Sequence, residues 1–167
     1  MPFQVDDHVV HPGHGTGQIV GLVTKRFFDA EARLYYEIAI QNTTVWVPVD
    51  SGPADGLRLV TPKRELARFR NILRSRPVPL TADQRQRRLD LQIQLRTGSL
   101  QSVCEVVRDL TAHGWRKPLR EAEAATLRKA REGLCQEWAA AEGVSMQKAA
   151  EEVDALLLEG RKAHMGE

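Results

Sequence analysis

The feature that most constrains the fold is a change of hydrophobic period near residue 60. Before it, apolar residues alternate or run in short β-branched and aromatic groups: "FQVDDHVVH", "GQIVGLVTKRFF", "RLYYEIAI" and "TTVWVPV". Side chains point to opposite faces along a strand, so such segments are read as strands. The joints are short, at 12–17, 29–32 and 41–42. Short strands at close spacing predict a small antiparallel barrel or strongly bent sheet. The loop "DSGPADGLR" (50–58) closes this part, with glycine, proline and aspartate as breakers.

From residue 61 the spacing becomes helical. Leu66, Phe69, Ile72 and Leu73 share a face, and Thr61-Pro62 suits an N-cap and first turn. "RPVPL" (76–80) predicts a stiff hinge. "TADQRQRRLDLQIQLRTG" follows, with Thr81 as cap, Leu89, Ile93 and Leu95 as apolar positions and Gly98 as the stop. Ser99 opens the next helix, with Leu100, Val103, Val107 and Leu110 inward and Gly114 at its end. A third carries Leu127, Leu134 and Trp138, and a fourth begins after Ser145. The expected class is α+β, an N-terminal small β-barrel (1–60) followed by an all-α C-terminal domain (81–160). A helix and proline hinge (61–80) link them.

Several function classes are disfavoured. No apolar run of about 18 residues predicts a membrane span, and "MPFQVDDHVV" lacks a signal-peptide pattern. Cys104 and Cys135 are far apart and form no CxxC, which fits reduced, buried thiols in a cytoplasmic protein. "HPGHGTG" (11–17) is a tight connection rather than a metal or phosphate site: no cysteine is near, and a strand follows where a phosphate loop needs a helix. In that connection Gly13, Gly15 and Gly17 supply positive φ or close backbone approach, and His14 a turn-stabilising hydrogen bond. Glu105 and Asp109 share a helix face, but Arg108 adjoins them and no cleft is implied. No catalytic motif, metal or cofactor is expected.

Charge is uneven. Net charge is +2 overall, but −3 over 1–60, +9 over 61–120 and −4 over 121–167. A basic middle between acidic ends suggests a polyanion-facing patch. Arg85, Arg87 and Arg88, with Arg74 and Arg76 across the hinge, have only Asp83 as a nearby acid, which favours phosphate contact. Lys129, with Arg128 and Arg131, is a weaker candidate among glutamates. In "TTVWVPV", inward Val45 and Val47 leave Trp46 outward, a candidate hot spot.

The opening "V-x-D-x-V-V-x-P-x-H-G-x-G-x-I" (Val5 to Ile19), with "YY" at 35–36 and "VPV" at 47–49, resembles the CarD/CdnL family of bacterial transcription regulators. Their first domain is shared with the transcription-repair coupling factor. "GSLQSVCEVVRDL" and "LRKAREGLCQEWA" resemble that family's C-terminal helices, so the resemblance covers nearly the whole chain. It implies a Tudor-like barrel that docks on the RNA polymerase β subunit, with Lys25, Arg26, Phe27 and Trp46 at the interface. It also implies a helical domain that reaches promoter DNA at the upstream edge of the melted bubble, modulating open-complex stability without catalysis. A monomer is expected. One departure stands out. The family's DNA-facing helix opens with a tryptophan wedge, and that position falls at about Gln84. Trp115, in "HGWRKP", is expected in a later loop, packed on its own domain or serving as a displaced wedge. An adaptor that binds polymerase with little DNA engagement is the alternative.

Overall fold

The computed structural model describes residues 2–28 and 30–165. The chain divides into two compact units, 1–60 and 61–167.

The first unit is a five-stranded antiparallel sheet in the order β4-β3-β2-β1-β5. Its strands are β1 (His8–His11), β2 (Gly15–Lys25), β3 (Arg33–Ile40), β4 (Thr43–Pro48) and β5 (Arg58–Leu59). Alternation sends Val9, Ile19, Tyr36, Ile38, Ile40 and Val47 into one core with Phe3 and Leu57. A bulge between Ile19 and Gly21 turns Val20 outward. The glycines of "HPGHGTG" do different things. Gly15 has φ +97°. A Cβ at Gly17 would lie 2.5 Å from the Ala39 carbonyl oxygen, so only glycine lets β2 sit this close. Gly13 needs neither freedom. The turn's side-chain bond belongs to His11, not to His14: the Gly13 N–H donates to His11 Nδ1 at 3.0 Å. That bond makes Nδ1 the acceptor. Burial, then the neighbouring His14, pushes the His11 pKa down.

Among its described residues the second unit has five α-helices: α1 (Leu66–Leu73), α2 (Gln84–Arg96), α3 (Leu100–Arg116), α4 (Glu121–Glu142) and α5 (Met146–His164). Segment 61–80 is not a linker outside this unit. Leu66, Phe69 and Leu73 are buried in the same core as Leu110, Leu134, Trp138 and Val153. Arg70 joins Glu142 at 2.7 Å and Glu152 at 2.9 Å, and Trp138 Nε1 donates to Glu152 at 2.7 Å. Thr61 does not cap a helix. Its N–H and hydroxyl both donate to Glu137, itself 2% exposed. The proline stretch is pinned too. The Val78 N–H donates to Asp109 Oδ1, and Arg108 bonds Asp109 and the Ser75 hydroxyl. The "RD" of "EVVRDL" thus fixes the path from α1 to α2.

Further boundaries differ from the sequence reading. Asp83, not Thr81, caps α2, accepting from the Arg85 and Gln86 N–H groups. Helix α3 continues through Gly114 and Trp115 to Arg116, so Trp115 lies in its last turn, half-buried against the core with Arg161 stacked 4.9 Å from its ring. Cys104 and Cys135 are buried free thiols, and burial pushes the Cys104 pKa up to about 12.

Candidate functional site

Two surfaces carry the candidate residues, one on each unit. On the first, β2, β3 and β4 place alternate residues on the face away from the core. Trp46 lies opposite Glu37 in the β3–β4 register, and its indole N–H donates to Glu37 Oε2 at 3.1 Å. Lys25 Nζ sits 3.9 Å above the Trp46 ring, a cation–π contact. Phe27 meets Tyr35 edge-on at 5.3 Å and Trp46 at 6.4 Å. Lys25, Phe27, Tyr35 and Trp46 thus form one outward cluster. Val47 is buried and Val45 packs on the core, so Trp46 does point outward, although half-buried by its neighbours. Arg26 is apart from the cluster, its Nε donating to the Ala30 carbonyl at 2.9 Å.

The hairpin beyond β2 holds a residue the sequence reading did not single out. Phe28 is fully exposed and has φ +55°, a conformation bulky side chains rarely adopt. Its signal in the sequence was the doubled phenylalanine beside Lys25 and Arg26. Strand β4 is a sheet edge, so among the described residues one side of its backbone has no strand partner.

On the second unit the arginines of α2 separate. Arg87 is 6% exposed; its Nε reaches Glu123 at 2.5 Å and its Nη1 the Thr81 carbonyl at 3.0 Å. It holds α2 to the start of α4, and its charge is not presented to a partner. Glu123 also accepts from the Arg120 N–H. Burial pushes the Glu123 carboxyl up, but the Arg120 N–H and the Arg87 guanidinium together outweigh it, leaving the pKa below the usual carboxylate value. Arg85 and Arg88 are exposed, and among the described residues neither guanidinium has a hydrogen-bond or ion-pair partner. Gln84 is exposed in the first turn.

On α4, Lys129 and Arg128 are exposed, whereas Arg131 Nη2 donates to both Asp154 carboxylate oxygens, at 2.9 and 2.8 Å. Asp109 is taken by Val78 and Arg108, and Glu105 accepts from Gln94, so these two carboxylates are structural. Among the described residues no group of three or more histidine, cysteine or acidic side chains is placed to hold a metal ion. No helix among them is long and apolar enough to cross a membrane.

Comparison with known proteins bears on both units. Residues 3–61 match the CarD-like/TRCF RID domain, and residues 68–154 match the CarD C-terminal domain. A Bacillus subtilis (strain 168) protein named "Putative transcription factor YdeB" is 31% identical over 145 residues, covering 86% of this chain and 94% of that protein. The two domain matches follow one another along the chain in the order of the two compact units, and the chain belongs to the CarD-like family of transcription factors.

Proposed function

We propose that this chain is a non-enzymatic regulator of transcription initiation, acting in the cytoplasm as a monomer. Its sheet unit binds the RNA polymerase β subunit, and its helical unit grips promoter DNA near the upstream edge of the bubble, modulating open-complex stability. The observation that carries the reading is the outward cluster of Lys25, Phe27 and Trp46 beside the free edge of β4. A rigid indole supported by a cation and a second ring has the character of an interface anchor. Arg26 and Phe28 flank it from the hairpin. For the DNA half, Arg85 and Arg88 supply phosphate contacts, Gln84 occupies the groove-facing position, and Lys129 is a further basic contact. Arg87 drops out of the original set because Glu123 holds it.

The test is binding of the full chain to the polymerase β subunit. Trp46→Ala should weaken it by about thirtyfold, the loss typical of a hot spot near 2 kcal/mol. Unchanged affinity in a folded variant overturns the assignment. The DNA half is tested through open-complex lifetime after heparin challenge. Glutamine offers little apolar surface to hold an unstacked base step, and unstacking costs a few kcal/mol per step. Gln84→Trp should therefore lengthen that lifetime without changing affinity for the β subunit.

A further inference from the structure

The proline stretch and the end of α3 enclose a cleft within the helical unit. Of residues 77–79 only Val78 has a backbone N–H, and that N–H is spent on Asp109 Oδ1 at 3.0 Å. Prolines on either side of it have no N–H with which to fasten the chain further. The space left is a cavity of about 330 Å³. Its walls are residues 77–80, the last two turns of α3, and Ala82 and Arg87 at the start of α2. That volume lies near the lower end of small-molecule sites, about 300–1,000 Å³.

The walls differ in character. The proline side is apolar, with Leu80 half-buried and Val78 58% exposed. The α3 side carries His113, Arg116 and Lys117, and none of these side chains has a hydrogen-bond or ion-pair partner among the described residues. The helix dipole favours cations at this end of α3, but does not explain why they face an apolar wall. The one carboxylate in the lining, Asp109, is already taken by Val78 and by Arg108 Nε at 2.8 Å. Arg87 lines the cleft from α2 and is 6% exposed. Glu123 balances its charge at Nε and the Thr81 carbonyl takes Nη1, which leaves Nη2 without a partner among the described residues. A donor held from two sides with nothing to donate to is preorganised for an acceptor.

We infer that this cleft binds a small amphipathic phosphomonoester. Its phosphate is taken by Arg116 and Lys117, with the Arg87 Nη2 N–H and His113 as further donors, and its compact apolar body lies against Val78 and Leu80. A phosphomonoester carries about −1.5 to −2 charges at pH 7 and three acceptor oxygens, which suits several converging donors better than a single carboxylate does. The planar fork of arginine matches phosphate in geometry as well as charge. The apolar wall separates this ligand from inorganic phosphate, which would leave Val78 against water. The site does not depend on the polymerase or DNA reading above.

The experiment titrates the full chain, labelled with nitrogen-15, with phenyl phosphate at constant ionic strength and follows the amide resonances. Saturable shifts should appear at Val78, Leu80 and Ala82 and over 112–117. Inorganic phosphate should bind at least about tenfold more weakly, since it buries no apolar surface, and phenol should shift nothing. Arg116→Gln with Lys117→Gln, two exposed changes, should weaken phenyl phosphate by at least about tenfold. Val78→Asp keeps the backbone N–H and should abolish binding by setting a negative charge on the apolar wall. Shifts that do not saturate, or that fall elsewhere on the chain, overturn the site. So does equal affinity for inorganic phosphate, or binding that survives in both variants. A third result also overturns it: a DNA duplex displaces phenyl phosphate, and the Arg116/Lys117 double variant lowers the log–log salt slope of DNA binding by roughly 1.8. The cleft would then be a DNA phosphate contact, and the DNA half of the proposed function would stand.

Discussion

Helices α2 and α3 are neighbours in sequence and opposites in use. α3 buries eight of its seventeen residues, including the Arg108–Asp109 pair that fixes the proline stretch; α2 buries two of thirteen. Both are rich in charge, yet charge in α3 is part of the interior, and in α2 most of it is left to solvent. Arg87 is the exception. It shows that a run of arginines is not one functional unit, since Arg87 is buried and Arg88, one position on, is exposed.

The largest effects should come from testing the interior side of this contrast. Leu110→Ala empties a fully buried site in α3 and should cost about 3–4 kcal/mol in urea unfolding, while Leu89→Ala in α2 should stay within about 0.5 kcal/mol. Equal costs would break the comparison. Arg87→Ala leaves the half-buried Glu123 without its cation and should destabilise the helical unit by about 1–2 kcal/mol, with Arg88→Ala near neutral.

Acid should loosen α2 before α3. The Glu123 pKa is lowered in the fold, so its contribution is complete above the unfolded value of about 4.3 and is lost as pH falls through the lower folded value. Amide exchange in α2 should therefore rise relative to α3 as pH drops below about 4, after correction for intrinsic rates. Arg87→Ala should remove the difference in pH response. The smallest effect is on stability, not on binding: Arg85→Ala and Arg88→Ala should leave unfolding unchanged while each lowers the log–log salt slope of DNA binding by roughly 0.9. Slopes equal to wild type would move the phosphate contacts elsewhere, with Arg128 and Lys129 next.

The contrast between these helices was only half legible in the sequence. The stripe of α3 reads directly, because Leu100, Val107 and Leu110 recur at helical spacing and all are buried. In α2, Leu89, Leu91, Ile93 and Leu95 recur at every second position, a spacing that gives a helix apolar residues on two faces. Spacing cannot choose between them. The inward side carries Leu91 in the core and Arg87 against Glu123, a contact across 36 positions, and leaves Leu89 outward. Trp115 was misplaced for a related reason. Gly114 reads as a helix stop, but the helix runs on to the residue before Lys117-Pro118 while the Leu119 side chain packs on the glycine. In β4, by contrast, Val45 and Val47 face the core as the alternation predicts, and Trp46 fell on the expected face.

The partners of α1 and of the segment before it arrive late. Thr61 waits for Glu137, and Arg70 for Glu142 and Glu152, 72 and 82 positions further on. The five strands all lie before residue 60 and pair with one another. At a synthesis rate of about 5–20 residues per second, the sheet unit can close seconds before the ribosome delivers the last helix. During that interval α1 has no core and its apolar face is open to water. A nascent chain of this protein therefore carries a finished module followed by an unfinished one. Truncation within α5 removes the partner that locks the first helix as well as the last turn of the fold.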